Sequence, residues 1–182
     1  MFNATELSNE IGVSVNTIRS WLSILQVSYV IFMVHPYSEN SRKRLTKTPK
    51  LYFYDTGLAC YLLGIENETQ LSSDRIRGHL FESMFIADIV KRRANEGQGT
   101  ELMFYRDSNG NEIDLLVPVG RSLEGYEIKS SVTYNSSFEK GFHGITEQLE
   151  ARLSRRVDVY CGTQERCGAP IEVLDYASLL AM

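Results

Sequence analysis

The groups best suited to chemistry lie in residues 111–130. Asp114 belongs to Asn111-Glu112-Ile113-Asp114-Leu115-Leu116-Val117, and Glu127 and Lys129 to Leu123-Glu124-Gly125-Tyr126-Glu127-Ile128-Lys129-Ser130, across a Pro118-to-Ser122 turn. Both segments alternate apolar and polar residues, which predicts half-buried strands. Ile113, Leu115 and Val117 are expected on one face of the first, with Glu112, Asp114 and Leu116 on the other. Glu127 and Lys129 share a face opposite Ile128. A turn centred near Gly120 and Arg121 sets Asp114 against Glu127 and places Lys129 diagonally beside Asp114. Like charges directly opposed destabilise a sheet, so two acids there need a cation, a lysine or a purpose.

The chemistry such a set can do is specific. Hard carboxylate oxygens suit Mg²⁺ (or Mn²⁺), which takes one or two protein carboxylates and keeps several waters. An ion bridging to a phosphodiester polarises the phosphorus and acidifies water, and a lysine beside it orients the attacking group and offsets developing negative charge. Glu82, midway along a predicted helix, could supply a further ligand; its bland alternative is a surface acid. A Glu-x-Lys pair alone is weak, since in strands it is usually a surface ion pair worth about 0–1 kcal/mol. The preceding Asp114 and the helical Glu82 strengthen it.

These residues need elements to position them. A helix over about 75–94 carries Ile76, Leu80, Met84, Ala87 and Val90 on one stripe, widened by Phe81, Phe85 and Ile89. Residues 101–106 read as a strand, and Asp107-Ser108-Asn109-Gly110 as a turn leading into the hairpin. Residues 135–153 read as one helix, followed by strands over 157–162 and 171–174. A helix between strands implies a crossover and a mixed sheet with helices against it.

The first 27 residues predict two short helices. Asn3 and Glu6 resemble a capping box, Gly12 ends the first helix, and Ser14 caps the second. In the second, Ile18, Trp21, Leu22 and Leu25 recur at helical spacing, leaving Ser14, Asn16, Thr17 and Arg19 for phosphates or base edges, or for nothing beyond packing. Strands over 28–35 and 50–55 follow, and together with the helices they read as a winged helix. Between them Arg42, Lys43, Arg44, Lys47 and Lys50 cluster with no acid among them over 42–50, a wing for a phosphate backbone, a solvated loop, or a surface for an acidic partner. A short helix over 55–64 ends at Gly64, and the polar residues 65–74 suggest a boundary. The expected domains are therefore 1–70, a winged helix-turn-helix, and 71–182, the sheet. His35 and His79 read as structural.

With 182 residues, 43% hydrophobic and 23% charged, the chain is typical of a soluble globular protein. A formal net charge of −4 argues against non-specific coating of nucleic acid while leaving a local basic patch open. Cys60, Cys161 and Cys167 form no metal-ligand spacing, and their odd number suits a reducing cytoplasm. The longest apolar run, Tyr29 to Val34, is too short to span a membrane, and no secretory n- and h-regions open the chain.

Glu82, Asp114 and Glu127-Ile128-Lys129 together resemble the PD-(D/E)XK nuclease superfamily. More closely, nearly the whole chain resembles the C-terminal region of a bacterial and archaeal family of predicted AAA-type ATPases. The matching stretches are Glu6-Leu7 to Gly12-Val13-Ser14, Pro36-Tyr37, Lys43 to Phe53, Asp55-Thr56-Gly57-Leu58-Ala59, Gly78-His79-Leu80-Phe81-Glu82, Tyr105-Arg106, Gly110 to Asp114, and Glu127 to Ser131. The resemblance implies an α/β (α+β) fold: a winged helix followed by a mixed-sheet, restriction-endonuclease-like domain with flanking helices. It implies Glu82, Asp114, Glu127 and Lys129 as catalytic residues, with the three acids holding Mg²⁺ or Mn²⁺. DNA is the implied partner, with contacts from Arg19, Arg42, Lys43, Arg44 and Lys47. The family's ATPase module lies in cis, but this chain has no Gly-x-x-x-x-Gly-Lys-Ser/Thr loop, so it reads as the C-terminal part alone. The sequence departs from the superfamily's Pro-Asp pair. Glu112 stands two residues before Asp114 on the expected face, and is open to reading as an extra ligand, a partner for Arg106, or a drifted site.

Three functions follow as expectations. The first is an Mg²⁺-dependent DNA nuclease module; the second is a non-catalytic DNA- or protein-binding module that targets the ATPase. A transcriptional regulator built on the winged helix is the third. Oligomeric state is left open.

Overall fold

The computed structural model describes residues 2–38 and 48–181. Its architecture is mixed α/β, a seven-stranded sheet in the order β2-β1-β3-β4-β5-β6-β7 with helices against it. The strands are β1 (Ile31–Pro36), β2 (Lys50–Phe53), β3 (Met103–Arg106), β4 (Glu112–Val119), β5 (Ser122–Lys129), β6 (Leu153–Tyr160) and β7 (Glu172–Asp175). The helices are α1 (Ala4–Ile11), α2 (Val15–Val27), α3 (Thr56–Leu62), α4 (Glu68–Ser73), α5 (Arg77–Asn95), α6 (Lys140–His143), α7 (Glu147–Arg152) and α8 (Tyr176–Ala181).

The helix caps are where the sequence put them. Asn3 accepts the N–H groups of Thr5 and Glu6 to start α1, Gly12 closes it at φ 78°, and Ser14 accepts from Thr17 N–H to start α2. The two strands after α2 pair antiparallel, and β1 then pairs parallel with β3. The hairpin expected as a wing is therefore continuous with the main sheet. Parallel pairing of β5, β6 and β7 supplies the expected crossovers. The three cysteines are free thiols. Among the described residues, no helix is long and apolar enough to cross a membrane.

Two readings change. Residues 65–74 contain a helix, α4, because Asn67 accepts the N–H of Gln70 and caps it. Residues 135–153 are not one helix: a 3₁₀ turn over Ser136–Glu139 and α6 end at Gly144, α7 restarts from the Thr146 cap, and Leu153 already belongs to β6. Gly144 explains the break, because its backbone packs on the side chain of Asn111, which donates to the Gly144 carbonyl at 3.0 Å.

The sheet separates two cores. On one side α5 lays Phe81, Phe85, Ile86, Ile89 and Val90 over Leu115, Val117, Tyr126 and Ile128. On the other, Phe142 and Leu149 cover Tyr105, Ile113, Leu116 and Leu123. Ile113 thus lies on the opposite side from Leu115 and Val117, where simple alternation would have kept all three together. The cause is a bulge. Three residues of β3, Met103 to Tyr105, span four of β4, Leu116 to Ile113.

Candidate functional site

The β4–β5 hairpin has the register expected, running from Val119↔Ser122 to Leu115↔Tyr126, with Gly120 at φ 59° in the turn. Beyond Leu115 the bulge delivers Asp114. Its Oδ2 accepts the backbone N–H of Ile128 at 2.8 Å and the Lys129 ammonium at 3.0 Å. Lys129 Nζ also donates to Glu127 Oε2 at 2.6 Å. Asp114, Glu127 and Lys129 therefore meet directly.

Glu82 comes from α5, one turn beyond the Gly78-His79 start of that helix. Its Oε1 accepts from Tyr52 Oη at 2.5 Å and from Lys50 Nζ at 2.9 Å, while Oε2 lies 3.9 Å from His79 Nδ1. Lys50 also reaches Glu112 Oε1 at 2.6 Å and Asp114 Oδ1 at 3.9 Å. Glu112 keeps its second oxygen for Arg106, at 3.1 Å. Glu112 is thus a partner of both Arg106 and Lys50. Four carboxylates from three elements meet three cations in one cluster.

Lys50 is a site residue that the sequence reading missed, having been counted with the basic wing. The available signal was alternation: Lys50 and Tyr52 share one face of β2, and Tyr52 is buried. Burial alone would strip the Lys50 charge, yet Glu82, Asp114 and Glu112 raise its pKa above the ordinary lysine value. Burial likewise opposes the charge of Lys129, and Asp114 and Glu127 restore and raise it. Burial first, and then Glu82, push the Tyr52 phenol up, so it stays a donor. Burial, with the Asp114 charge second, pushes the Glu127 carboxyl up to about 9 against the pull of Lys129.

The cluster opens on a cavity of about 730 Å³, whose charged wall is Lys50, Glu82, Arg106, Glu112 and Asp114 and whose apolar wall includes Phe53, Leu63 and Leu80. A smaller one, about 340 Å³, joins Glu82 and Asp114 to Lys129, Ser130 and Phe138. Arg77 of α5 donates to the Ser130 carbonyl and ties the helix to the end of β5.

Among the described residues, no three acids, histidines or cysteines form a ready-made metal cage. A two-carboxylate site is another matter. Glu82 and Asp114 both line both cavities, their oxygens are hard donors, and open volume in front of them leaves room for waters and a phosphate. Glu127 supports a positive neighbour from behind: one oxygen holds Lys129, and Oε1 is buried without a hydrogen-bond partner among the described residues. The donor set fits a small hard cation.

Asp158 also went unnoticed in the sequence. It neighbours Glu127 across β5 and β6, is fully buried, and neither oxygen has a hydrogen-bond partner among the described residues. Tyr134 lies near but gives its hydroxyl to Glu139 at 2.5 Å. Burial, then the charge of Glu139, raises the Asp158 carboxyl to about 7. An apolar-looking Val-Asp-Val-Tyr strand in mid-sheet was the signal: its polar position had to face inward.

Of the DNA-contact candidates, Arg19 is exposed on α2 and Asn16 stands beside it, whereas the Ser14 hydroxyl is used in capping. Arg42, Lys43, Arg44 and Lys47 lie outside the described residues. Trp21, Ile24, Leu25 and Val27 leave an exposed apolar face on α2.

Residues 1–69 match a family described as Domain of unknown function (DUF8612), and residues 77–175 match one described as Domain of unknown function (DUF4143). Two curated relatives, Uncharacterized protein Mb2031c of Mycobacterium bovis and Uncharacterized protein Rv2008c of Mycobacterium tuberculosis, are each 29% identical over 162 residues. That covers 89% of this chain and 35% of each relative, so the chain spans about a third of the length of the curated relatives it matches. No solved structure matches the chain.

Proposed function

The chain belongs to the family described as Domain of unknown function (DUF4143), which takes in more than half of its length, and from that premise we propose that it is an Mg²⁺- or Mn²⁺-dependent phosphodiester hydrolase acting on DNA. The observation that carries this reading is the meeting of Asp114, Glu127 and Lys129 beside Glu82 at the rim of an open cavity. The PD-(D/E)XK description of the sheet and the winged-helix description of α1–β2 belong to the same proposal.

Asp114 and Glu82 would hold the ion. When bound, it supplies Lewis acidity to a phosphodiester oxygen and lowers the pKa of the attacking water. Everything else is done by the chain. Glu127 and Asp114 fix the Lys129 ammonium at 2.6 and 3.0 Å, and the Asp114 charge is the larger influence keeping it cationic. Held that way, Lys129 orients the nucleophile and offsets negative charge growing on the phosphate; it does not act as the base. Arg19 and the basic residues 42–47 would track the phosphate backbone. In longer relatives, an ATPase module in cis would gate or position this site.

The test is cleavage of plasmid and linear DNA with Mg²⁺ or Mn²⁺. Lys129→Ala and Asp114→Asn are expected to lose roughly 100-fold or more, the usual scale for removing a charge-stabilising group. Equal inertness of wild type and both variants across divalent metals would end this reading.

A second reading, a non-catalytic module that targets the ATPase through DNA or protein, draws on the exposed Trp21, Ile24, Leu25 and Val27 of α2. It expects binding untouched by Asp114→Asn, and lost on Trp21→Ser.

A further inference from the structure

Lys50 Nζ has three carboxylates within 4 Å, and each comes by a different route: Glu112 at 2.6 Å before the β4 bulge, Glu82 at 2.9 Å from α5, and Asp114 at 3.9 Å from the bulge itself. Such a convergence of hard oxygens ordinarily selects a small cation, and here the chain supplies one. The Lys50 side chain is only 13% exposed. Its strand is pinned by the Val34↔Lys50 pairing, and Phe104 offers its ring to the same nitrogen at 5.2 Å. Tyr52, on the same strand face, adds a hydroxyl to the Glu82 oxygen that Lys50 already holds. That oxygen thus has two donors, and Asp114 Oδ1 lies 3.9 Å from Lys50 Nζ.

We propose that Lys50 is the resident counter-cation of the Glu82–Glu112–Asp114 cluster, and that it competes with a divalent ion for these carboxylates. The proposal rests on the reading of Glu82 and Asp114 as the metal-holding pair. Its content is a restraint on that pair: one elementary charge, tethered at high local concentration, keeps the divalent affinity low until the ion displaces it. Lys129 does not share this role, because it sits on the Glu127 side of Asp114 and contacts neither Glu82 nor Glu112 among the described contacts. By linkage the effect is reciprocal. Removing the ammonium must tighten the ion, and binding the ion must release the ammonium.

Titration calorimetry with Mn²⁺ reads the first half. Lys50→Met is expected to bind Mn²⁺ at least tenfold more tightly than wild type, and Lys50→Arg to stay within about twofold of wild type. Equal affinity of Lys50→Met and wild type, or no binding by a folded Lys50→Met, overturns the proposal. The second half uses wild type alone and so survives a variant that fails to fold. Amine-reactive labelling read by mass spectrometry should find Lys50 protected in EDTA and several-fold more reactive in excess Mn²⁺. Labelling unchanged by Mn²⁺ overturns it. Cleavage enters neither measurement. A chain that cuts DNA while Lys50→Met binds no tighter sinks this proposal and leaves the hydrolase reading standing; a chain that never cuts but shows the tenfold tightening does the reverse.

Discussion

Asp114 takes the place of a strand. Its Oδ2 accepts the N–H of Ile128 at 2.8 Å, just past the Leu115↔Tyr126 pair where the β4–β5 ladder ends. The carboxylate thereby closes the sheet and faces the site at once. Asp114→Asn keeps an oxygen for that N–H, whereas Asp114→Ala strands it and leaves the Lys129 ammonium with Glu127 as its one remaining carboxylate among the described residues. Chemical denaturation should therefore find Ala the worse of the two by about 1–3 kcal/mol, the cost of leaving buried polar groups unsatisfied. Equal losses would mean that the backbone bond contributes nothing.

Removing the Tyr52 hydroxyl tests the other end of the cluster. It donates to Glu82 at 2.5 Å from a buried position. Tyr52→Phe is expected to destabilise by about 1.5–3 kcal/mol, the range for hydrogen bonds to charged groups, with little change in ring packing. Urea midpoints would measure it.

The pH dependence of stability follows from two raised acids. Glu127 is pushed from 4.5 to about 9 and Asp158 from 3.8 to about 7, burial being the leading cause in both. Between the ordinary and raised values the folded chain keeps protons that the unfolded chain has released. Stability is then fullest at the acid end of that window and falls as pH rises toward 7 for Asp158 and 9 for Glu127. Denaturation midpoints in EDTA should decline along this range. Asp158→Asn should flatten the lower part and Glu127→Gln the upper; a midpoint that climbs with pH would contradict both assignments.

Gly141 of α6 packs its backbone on Glu127 and on the Glu112 carbonyl, leaving no room for a Cβ. Gly141→Ala should push α6 off the sheet and cost about 1–3 kcal/mol, as overpacking does. Gly99, with open space around it, is the control: Gly99→Ala should be near neutral by thermal unfolding.

Much of the site was legible because the hairpin is short-range. Gly120 and strict alternation in β5 set the register and put Glu127 and Lys129 on one face. What escaped has two causes. The β4 bulge depends on pairing with β3, so nothing local to residues 112–116 reveals that Ile113 and Leu115 part company. Lys50 owes its role to Glu82, 32 residues away, and beside Lys43, Arg44 and Lys47 its charge looked like one more solvated cation. α4 was hidden by composition: its polar residues read as a loop, though Asn67 three positions before Gln70 was a usable capping signal.

β1 and β2 reach the main sheet through the His35↔Met103 and Pro36↔Phe104 pairs, and β2 hands Lys50 and Tyr52 to Glu82. The first third of the polypeptide is therefore no detachable appendage to the rest. A nick between α3 and α4 would leave two pieces still joined by the β1–β3 pairs and the Lys50–Glu82 ion pair. Exchange of the first piece for one without Lys50 and Tyr52 would strip Glu82 of both partners, so recombination preserves the cluster only where those two residues come along.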